Sequence, residues 1–250
     1  MPRLNQELDL KTIPGSTFQY SSTRLEDLGA TEYTLITIVC DVSGSVSFFK
    51  DDLEKCLKEI VSSCKYSPRS DNLMIRLLVF NNQPFEIHGF KLLENCNEDD
   101  YINILDCDGM TALNDAIINA IESESNYANE LVENDYNVNG IIFILTDGVE
   151  NNSTYGIEKV KNSLVKTIQD EKLESLVSIL IGVNIDVDPD IDIYLTEFNE
   201  KVGFTQYCKI GEASSKNLAK LAQFVSHSIS SQSNSLGTGG ASQEINSLTI

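Results

Sequence analysis

Residues 34–45 read TLITIVCDVSGS, and this stretch decides both the fold class and the candidate site. Its first part is a short apolar, β-branched run that ends at Asp41, which is typical of a buried strand in a parallel sheet. The Asp-x-Ser-Gly-Ser segment should lie on the loop at the carboxyl end of that strand, where open α/β sheets bind ligands. Ser43 and Ser45 are two residues apart, so in an extended loop both hydroxyls face the same way. Together with the aspartate they offer only oxygen atoms, which suits a hard cation.

Two further stretches place oxygen-bearing side chains at comparable positions. Residues 108–115 read DGMTALND, a glycine turn that delivers a threonine just before an amphipathic helix. Residues 139–148 read NGIIFILTDG, a second apolar strand that ends in an aspartate. All three stretches lie at strand ends or helix starts, so one fold can bring their polar side chains to a single edge of the sheet. The side chains that the fold would bring together include Asp41, Ser43 and Ser45 from the first stretch, Thr111 from the second and Asp147 from the third.

This set resembles the metal-ion-dependent adhesion site of von Willebrand factor type A domains, which has the order Asp-x-Ser-x-Ser, Thr, Asp. Every member of that pattern is present, and the resemblance covers roughly residues 30–230. It implies an α/β fold with a doubly wound, mostly parallel Rossmann-like sheet and one antiparallel edge strand. It also implies a module for metal-dependent protein–protein interaction that performs no catalysis. Within the family, the chain looks like the stand-alone intracellular bacterial type and is similar to tellurite-resistance accessory proteins.

The resemblance implies a role for each residue of the set. Ser43, Ser45 and Thr111 would bind Mg²⁺ directly, with Mn²⁺ or Ca²⁺ as alternatives, while Asp41 and Asp147 would act largely through water. Neutral direct ligands leave the ion electrophilic, so its remaining position favours an Asp or Glu side chain of another protein. The expected role is an adaptor or scaffold in an intracellular bacterial complex, such as one built on an AAA+ ATPase or a stress-response system.

Each residue also has a simpler structural interpretation. Ser43 or Ser45 can cap the helix that follows, and Thr111 can cap its own helix. Asp147, within Thr-Asp-Gly, can be an ordinary turn aspartate. Capping and metal binding are compatible roles, so these interpretations do not exclude the site.

A metal-dependent hydrolase or phosphatase that uses Asp41 is the alternative function. However, the position two residues on is Ser43, where haloacid-dehalogenase-like phosphatases carry a second aspartate. Both histidines, His88 and His227, lie outside the three motif stretches, and neither serine lies in a Gly-x-Ser-x-Gly elbow. We therefore expect a protein that is not an enzyme.

A second group of acids invites a calcium-loop interpretation. Residues 186–197 read DVDPDIDIYLTE, with acids at several of the spacings that such a loop uses. Ile191 stands where the loop needs glycine for its sharp turn, and Pro189 stiffens the backbone. Asp188 as the cap of a helix explains the acids more simply.

Composition limits the partners and the compartment. With 18 basic and 38 acidic residues the formal net charge is −20, so a nucleic acid would be repelled. No apolar stretch approaches the roughly 20 residues that span a bilayer, so we expect no membrane partner. The six cysteines lack Cys-x-x-Cys spacing, which argues against zinc. No export signal is visible at the amino terminus, so the chain is predicted to be cytoplasmic, with reduced thiols.

The predicted organisation has a von Willebrand A-like domain between two polar segments. The domain covers residues 31–230, after an extension over residues 1–30 that packs loosely and carries a short strand near 17–20. Ser- and Gly-rich composition predicts a flexible tail over residues 231–250. The predicted sheet order is 3-2-1-4-5-6, counted from the strand that ends at Asp41, with residues 84–90 antiparallel at the edge. A helix is predicted over residues 46–65.

Overall fold

The computed structural model describes residues 8–238, in which eight strands form one sheet between two layers of helices. The strands are β1 (Asp9–Thr12), β2 (Gln19–Ser22), β3 (Glu32–Asp41), β4 (Leu73–Phe80), β5 (Pro84–Leu92), β6 (Asn137–Thr146), β7 (Leu176–Val183) and β8 (Gln206–Ile210). The α-helices are α1 (Lys50–Lys65), α2 (Leu113–Glu133), α3 (Ile157–Gln169), α4 (Pro189–Val202) and α5 (Ser215–Thr238). Within this part of the chain, no helix combines the length and apolar content that crossing a membrane requires.

The strand order confirms the predicted fold class. Across the sheet the strands follow the order β1-β2-β5-β4-β3-β6-β7-β8. Strands β4, β3, β6, β7 and β8 pair in parallel, and β5 is antiparallel to β4. Without the N-terminal pair β1 and β2, the order is the expected 3-2-1-4-5-6.

The central strands are apolar along their whole length because helices cover both faces of the sheet. Ile36 and Ile38 of β3 pack into the core cluster formed with α1 and α5. Val39, which points the other way, packs into the cluster formed with α2, α3 and α4. This double burial fixes the ends of β3 and β6, and therefore the loops that follow them.

The N-terminal segment is part of the sheet, contrary to the expected loose packing. β2 pairs with β1 on one side and with β5 on the other, so β5 lies inside the sheet. Glu86 of β5 accepts hydrogen bonds from the backbone and hydroxyl of Ser21, and from Nε of the buried Arg76 at 2.6 Å. Tyr20 is buried beside Phe90 in a third apolar cluster. These contacts hold residues 9–22, whereas residues 1–7 lie outside the described range.

The last helix is longer than the composition predicts. α5 continues to Thr238, so the expected flexible tail is wrong for residues 231–238, and residues 239–250 lie outside the described range. Gln232 explains the difference: its Nε2 donates to the carbonyl of Gly140 at 3.1 Å and to Ser175 Oγ at 2.8 Å. Its own carbonyl accepts a bond from Asn139 Nδ2 at 2.6 Å. Hydrogen bonds therefore hold the Ser- and Gln-rich turn of the helix against β6.

The first helix begins later than predicted. Residues Gly44–Phe48 form a 3₁₀ helix, and α1 starts only at Lys50 rather than at Val46. The 3₁₀ helix turns the chain immediately after Ser43. This tight turn lies at the candidate site, where it sets the position of Ser45.

Candidate functional site

The candidate site lies at the carboxyl ends of the two central strands. β3 and β6 are adjacent and parallel, with Cys40 paired to Leu145, so the residues after each strand meet at the same edge of the sheet. The loop before α2 joins them, since the backbone N–H of Gly44 donates to the carbonyl of Gly109 at 3.3 Å. The three loops singled out in the sequence therefore lie together.

Two serine hydroxyls and one carboxylate form the centre of the cluster. Ser43 Oγ lies 3.1 Å from Ser45 Oγ. Ser45 Oγ donates a hydrogen bond to Asp147 Oδ1 at 2.8 Å. Three oxygen-bearing side chains from two distant loops are therefore linked in a chain through Ser45, at hydrogen-bonding distances.

Asp41 supports this cluster from the interior. Its Oδ1 accepts a bond from the backbone N–H of Ser43 at 2.8 Å, and its Oδ2 accepts one from Thr146 Oγ1 at 2.6 Å. The residue is only 2% exposed. Both carboxylate oxygens are thus bonded within the protein, and Asp41 ties the serine loop to the end of β6.

Thr111 reaches the site on the loop before α2. Its N–H donates to Asn151 Oδ1 at 2.8 Å, and its carbonyl accepts a bond from the Asn151 N–H at 3.1 Å. A Cβ built on Gly148 would lie 3.8 Å from Thr111 Oγ1, so this hydroxyl faces the residue directly after Asp147. Gly109 makes the preceding turn with φ of +80°, a conformation that favours glycine. All five predicted side chains therefore gather at one edge of the sheet.

Capping does not account for Ser43, and Thr111 is not a cap. Ser43 precedes the 3₁₀ helix but makes no side-chain capping bond, and the N-cap residue of α1 is Phe49. The N-cap residue of α2 is Ala112, one position after Thr111. Asp147 accepts its bond from the hydroxyl of Ser45, in a different loop. The side-chain capping interpretations of Ser43 and Thr111 thus lose their support, whereas a turn role for Asp147 stays compatible with this bond.

The first turn of α2 is held by the loop that follows Asp147. Glu150 Oε2 accepts bonds from the backbone N–H of Asn114 and from Ser153 Oγ, at 2.8 and 2.7 Å. Ser153 Oγ in turn accepts a bond from the N–H of Asp115 at 3.1 Å. These bonds satisfy helix N-terminal donors that have no partner inside the helix. The helix that carries Thr111 is therefore fixed relative to Asp147.

Thr146, Glu150 and Asn151 are site-supporting residues that sequence reasoning missed. Each acts on a partner far away in the chain, with separations of 105, 36 and 40 positions. The one local signal is their position next to Asp147 in a loop rich in polar residues. The polar composition points to the loop, but it does not indicate which residues these side chains bind.

Burial raises the pKa of both carboxyl groups of the site. The pKa of Asp147 rises to about 6, first through desolvation and then through repulsion from Asp41, although the hydrogen bond from Ser45 opposes the shift. Burial also raises the pKa of Asp41 against the bonds from Thr146 and Ser43. The hydrogen bonds offset only part of the cost of burying these two carboxyl groups. A cation between them and the three hydroxyls would stabilise their charged forms. The oxygen-only donors fit a hard divalent ion.

The second acidic stretch is explained by structural roles. Asp188 caps α4, accepting a bond from the N–H of Asp190 at 3.0 Å, as the helix-cap interpretation predicts. Asp192 accepts bonds from Tyr207 Oη at 3.0 Å and from Lys209 Nζ at 2.8 Å. Across residues 8–238, no three or more His, Cys, Asp or Glu side chains are grouped so that they could hold a metal. The candidate site differs because most of its donors are hydroxyls.

The chain matches the sequence model of a known protein family. The model of the von Willebrand factor type A domain matches residues 36–223, which include the whole candidate set. No curated protein matches the chain.

Solved structures with the same fold include pilus and byssus proteins. A D319A mutant of the PilB minor pilin from Streptococcus sanguinis superposes with a TM-score of 0.60 at 15% identity, covering 88% of this chain and 66% of that one. The SpaC pilus adhesin from Lactobacillus rhamnosus GG gives 0.59 at 10% identity, covering 85% and 32%. Proximal thread matrix protein 1 from the mussel byssus, with a zinc-occupied MIDAS motif, gives 0.50 at 17% identity, covering 80% and 46%. The chain thus spans less than two thirds of each, and at these identities the likeness concerns the fold.

Proposed function

The chain belongs to the von Willebrand factor type A domain family, and we propose that it is a divalent-metal-dependent protein-interaction module. The proposed metal site consists of Asp41, Ser43, Ser45, Thr111 and Asp147. The observation that carries the proposal is the bonded chain of Ser43, Ser45 and Asp147 oxygens, with contacts of 3.1 and 2.8 Å. A cluster of this composition at a sheet edge is suited to a hard cation.

The chemistry of the donors favours Mg²⁺, with Mn²⁺ or Ca²⁺ as alternatives. The hydroxyls of Ser43, Ser45 and Thr111 are neutral metal ligands, and the carboxylate of Asp147 accepts a hydrogen bond from Ser45. Asp41, whose oxygens are both bonded within the protein, orients the serine loop. The bound ion would supply positive charge and a coordination position for an Asp or Glu side chain of another protein.

The proposed setting is an intracellular bacterial complex in which the chain is an adaptor or scaffold. A complex built on an AAA+ ATPase or a stress-response system fits the resemblance to tellurite-resistance accessory proteins. Five cysteines, Cys40, Cys56, Cys64, Cys96 and Cys107, are free thiols, which supports the proposed reducing, cytoplasmic compartment. Cell fractionation tests this location, and recovery of the protein in the exported fraction would contradict it.

A metal-dependent hydrolase or phosphatase using Asp41 is not favoured by any observation of the site. The side chain is buried and both of its oxygens accept bonds from neighbouring groups, so neither is free to attack a substrate. His88 is bonded to Tyr101 and to the carbonyl of Gly89, and burial lowers its pKa to about 4. We therefore propose a binding function without catalysis. Turnover of generic phosphoesters that Asp41→Asn abolishes would contradict this.

Calorimetric titration of Mg²⁺ into chelator-treated protein tests the site. Wild type is expected to bind one ion, Asp41→Ala and Thr111→Ala to lose at least about tenfold in affinity, and Thr111→Ser to retain binding because it keeps the hydroxyl. Thr196→Ala on α4 is the control for the loss of a threonine elsewhere. Equal binding by all these variants would refute the site, and an unchanged far-ultraviolet dichroism spectrum establishes that each variant is folded.

A further inference from the structure

Three large apolar side chains are exposed on the three loops that form the site. Phe48 is 92% exposed, Met110 is 49% exposed and Val149 is 38% exposed. We call these three residues the apolar collar. Single exposed apolar residues are ordinary on a protein surface. Their grouping on three loops that meet at one polar cluster is not ordinary, because grouped apolar exposure marks interaction surfaces.

The collar residues are adjacent to the candidate metal donors in the chain. Phe48 follows Ser45 by three positions, Met110 directly precedes Thr111, and Val149 is two positions after Asp147. The loops themselves are joined, since Gly44 bonds to the carbonyl of Gly109 and Thr111 faces Gly148. The collar residues therefore lie on the same joined loops as the cluster, at the carboxyl edge of the sheet.

The exposure of the collar is not a general property of these loops. Phe49, next to Phe48, is buried, and so are Ala112 and Leu113, which follow Met110 and Thr111. The same short segments therefore place some apolar side chains in the core and leave the collar facing outward. Phenylalanine is among the residues most often found in protein interiors. Leaving one almost fully exposed to water is unfavourable in free energy, and a bound partner that covers it would remove that cost.

Exposed acids that are close to Phe48 and Met110 in the chain restrict the charge of a partner. Asp51, at the start of α1, is exposed, as are Asp106 and Asp108 on the loop before α2. The whole chain carries a formal net charge of −20. A partner with several acidic residues would be repelled from this edge, and only a carboxylate placed at the cation would be attracted.

We propose, building on the metal-dependent function above, that the collar selects a protein segment with a single Asp or Glu flanked by large apolar residues. The carboxylate would meet the ion, while the flanking side chains cover Phe48, Met110 and Val149. The apolar contacts supply affinity, and the ion supplies the requirement for one acid at a fixed place. Acid-rich segments are excluded by Asp51, Asp106 and Asp108.

Short synthetic peptides test this selection on the full chain in the presence of Mg²⁺. One peptide carries a central Asp between Leu and Phe, a second has Ser in place of both apolar residues, and a third has Asp in their place. Fluorescence anisotropy is expected to give at least about tenfold tighter binding for the first than for either of the others. Removal of Mg²⁺ with chelator should abolish that binding.

A variant of the collar provides the matched measurement on the protein. Phe48→Ser, Met110→Ser and Val149→Ser combined should weaken the apolar peptide at least about tenfold and leave Mg²⁺ binding by calorimetry unchanged. Tyr66→Ser is the control, because Tyr66 is 87% exposed and directly follows the far end of α1, a helix of 16 residues and about 24 Å in length. It should change neither measurement.

Equal affinity for the three peptides, or equal binding of the apolar peptide by the collar variant and wild type, would overturn the inference. So would failure of the apolar peptide to bind at about 1 mM while Mg²⁺ binds normally. Each of these results leaves the proposed metal site standing. If wild type does not bind Mg²⁺, the proposed function fails, and the inference fails with it.

Discussion

Ser45 and Asp147 are 102 positions apart in the chain, and Ser45 Oγ donates a hydrogen bond to Asp147 Oδ1 at 2.8 Å. The parallel register of β3 and β6 makes this contact, because it brings the ends of both strands to the same height at one edge of the sheet. Two other residues hold in place the loops that carry this pair. Asp41 anchors the serine loop, and Glu150 fixes α2 against the loop of Asp147.

Replacement of Ser45 by alanine should remove most of the stabilisation that Mg²⁺ gives. An ion that binds only the folded state at about 100 times its Kd adds about 2.7 kcal/mol to the free energy of unfolding. Urea denaturation with and without Mg²⁺ measures this difference. Ser47→Ala is the matched control, since Ser47 lies on the same 3₁₀ helix and donates to the carbonyl of Gly44 at 2.7 Å. Equal Mg²⁺ stabilisation of both variants would contradict the assignment of Ser45.

Asp147→Asn should stabilise the metal-free protein at neutral pH. The folded-state pKa of about 6 lies above the value near 3.9 of an unfolded chain, so the native state binds this proton more readily. The charged form therefore costs stability above pH 6, by about 1–3 kcal/mol, and the cost disappears as the pH falls towards about 4. The asparagine variant avoids the cost, so its advantage over wild type should be largest at pH 7.5 and vanish near pH 4.

Urea denaturation in the presence of chelator, at a series of pH values, checks that prediction. Asp71→Asn, at an exposed aspartate away from the site, is the control for the loss of one carboxylate. A constant difference between Asp147→Asn and wild type over the whole pH range would show that Asp147 carries no raised pKa in the metal-free protein.

Glu150→Ala should lower stability and weaken Mg²⁺ binding together. Glu150 accepts bonds from the N–H groups of Asn114, Asn152 and Ser153, at 2.8, 2.8 and 2.6 Å, so its removal leaves helix and loop donors without a partner. The expected loss is about 1–3 kcal/mol in the free energy of unfolding, with a weaker metal affinity because α2 positions Thr111. Glu59→Ala, on the exposed face of α1, should stay within about 0.5 kcal/mol of wild type. A variant as stable as wild type would refute this anchoring role.

The fold and the candidate residues could be predicted because both depend on strong local patterns. The apolar runs of β3 and β6 end in polar residues, and parallel pairing then brings those residues together. The supporting bonds could not be predicted, since Thr146, Glu150 and Asn151 act on residues that only the fold brings near. The metal-binding role of the set stays a prediction.

The sequence-based predictions for the N-terminal segment and for the end of the last helix were wrong for the same physical reason. β1 and β2 have only four residues each, and β2 is held through Glu86 and the buried Arg76 of other strands. The end of α5 has the composition of a linker, but Gln232 fastens it to β6. In both places long-range hydrogen bonds override local propensity, and a single sequence contains no local trace of them.

Gln232→Ala should therefore destabilise the protein although it lies far from the site. The change removes the bonds that the buried Gln232 amide donates to the carbonyl of Gly140 and to Ser175 Oγ. We expect a loss of about 1–3 kcal/mol in urea denaturation, with Mg²⁺ affinity unchanged. Gln223→Ala, an exposed glutamine on the same helix, is the control. If both variants match wild type, α5 is not held in this way.

The most direct test of the central claim is a crystal structure grown with Mn²⁺ and recorded at a wavelength where manganese scatters anomalously. If these residues hold the metal, one strong anomalous peak should lie within bonding distance of Ser43 Oγ, Ser45 Oγ and Thr111 Oγ1, with Asp41 and Asp147 beside it. A fully occupied manganese peak elsewhere, with none at these hydroxyls, would contradict the claim.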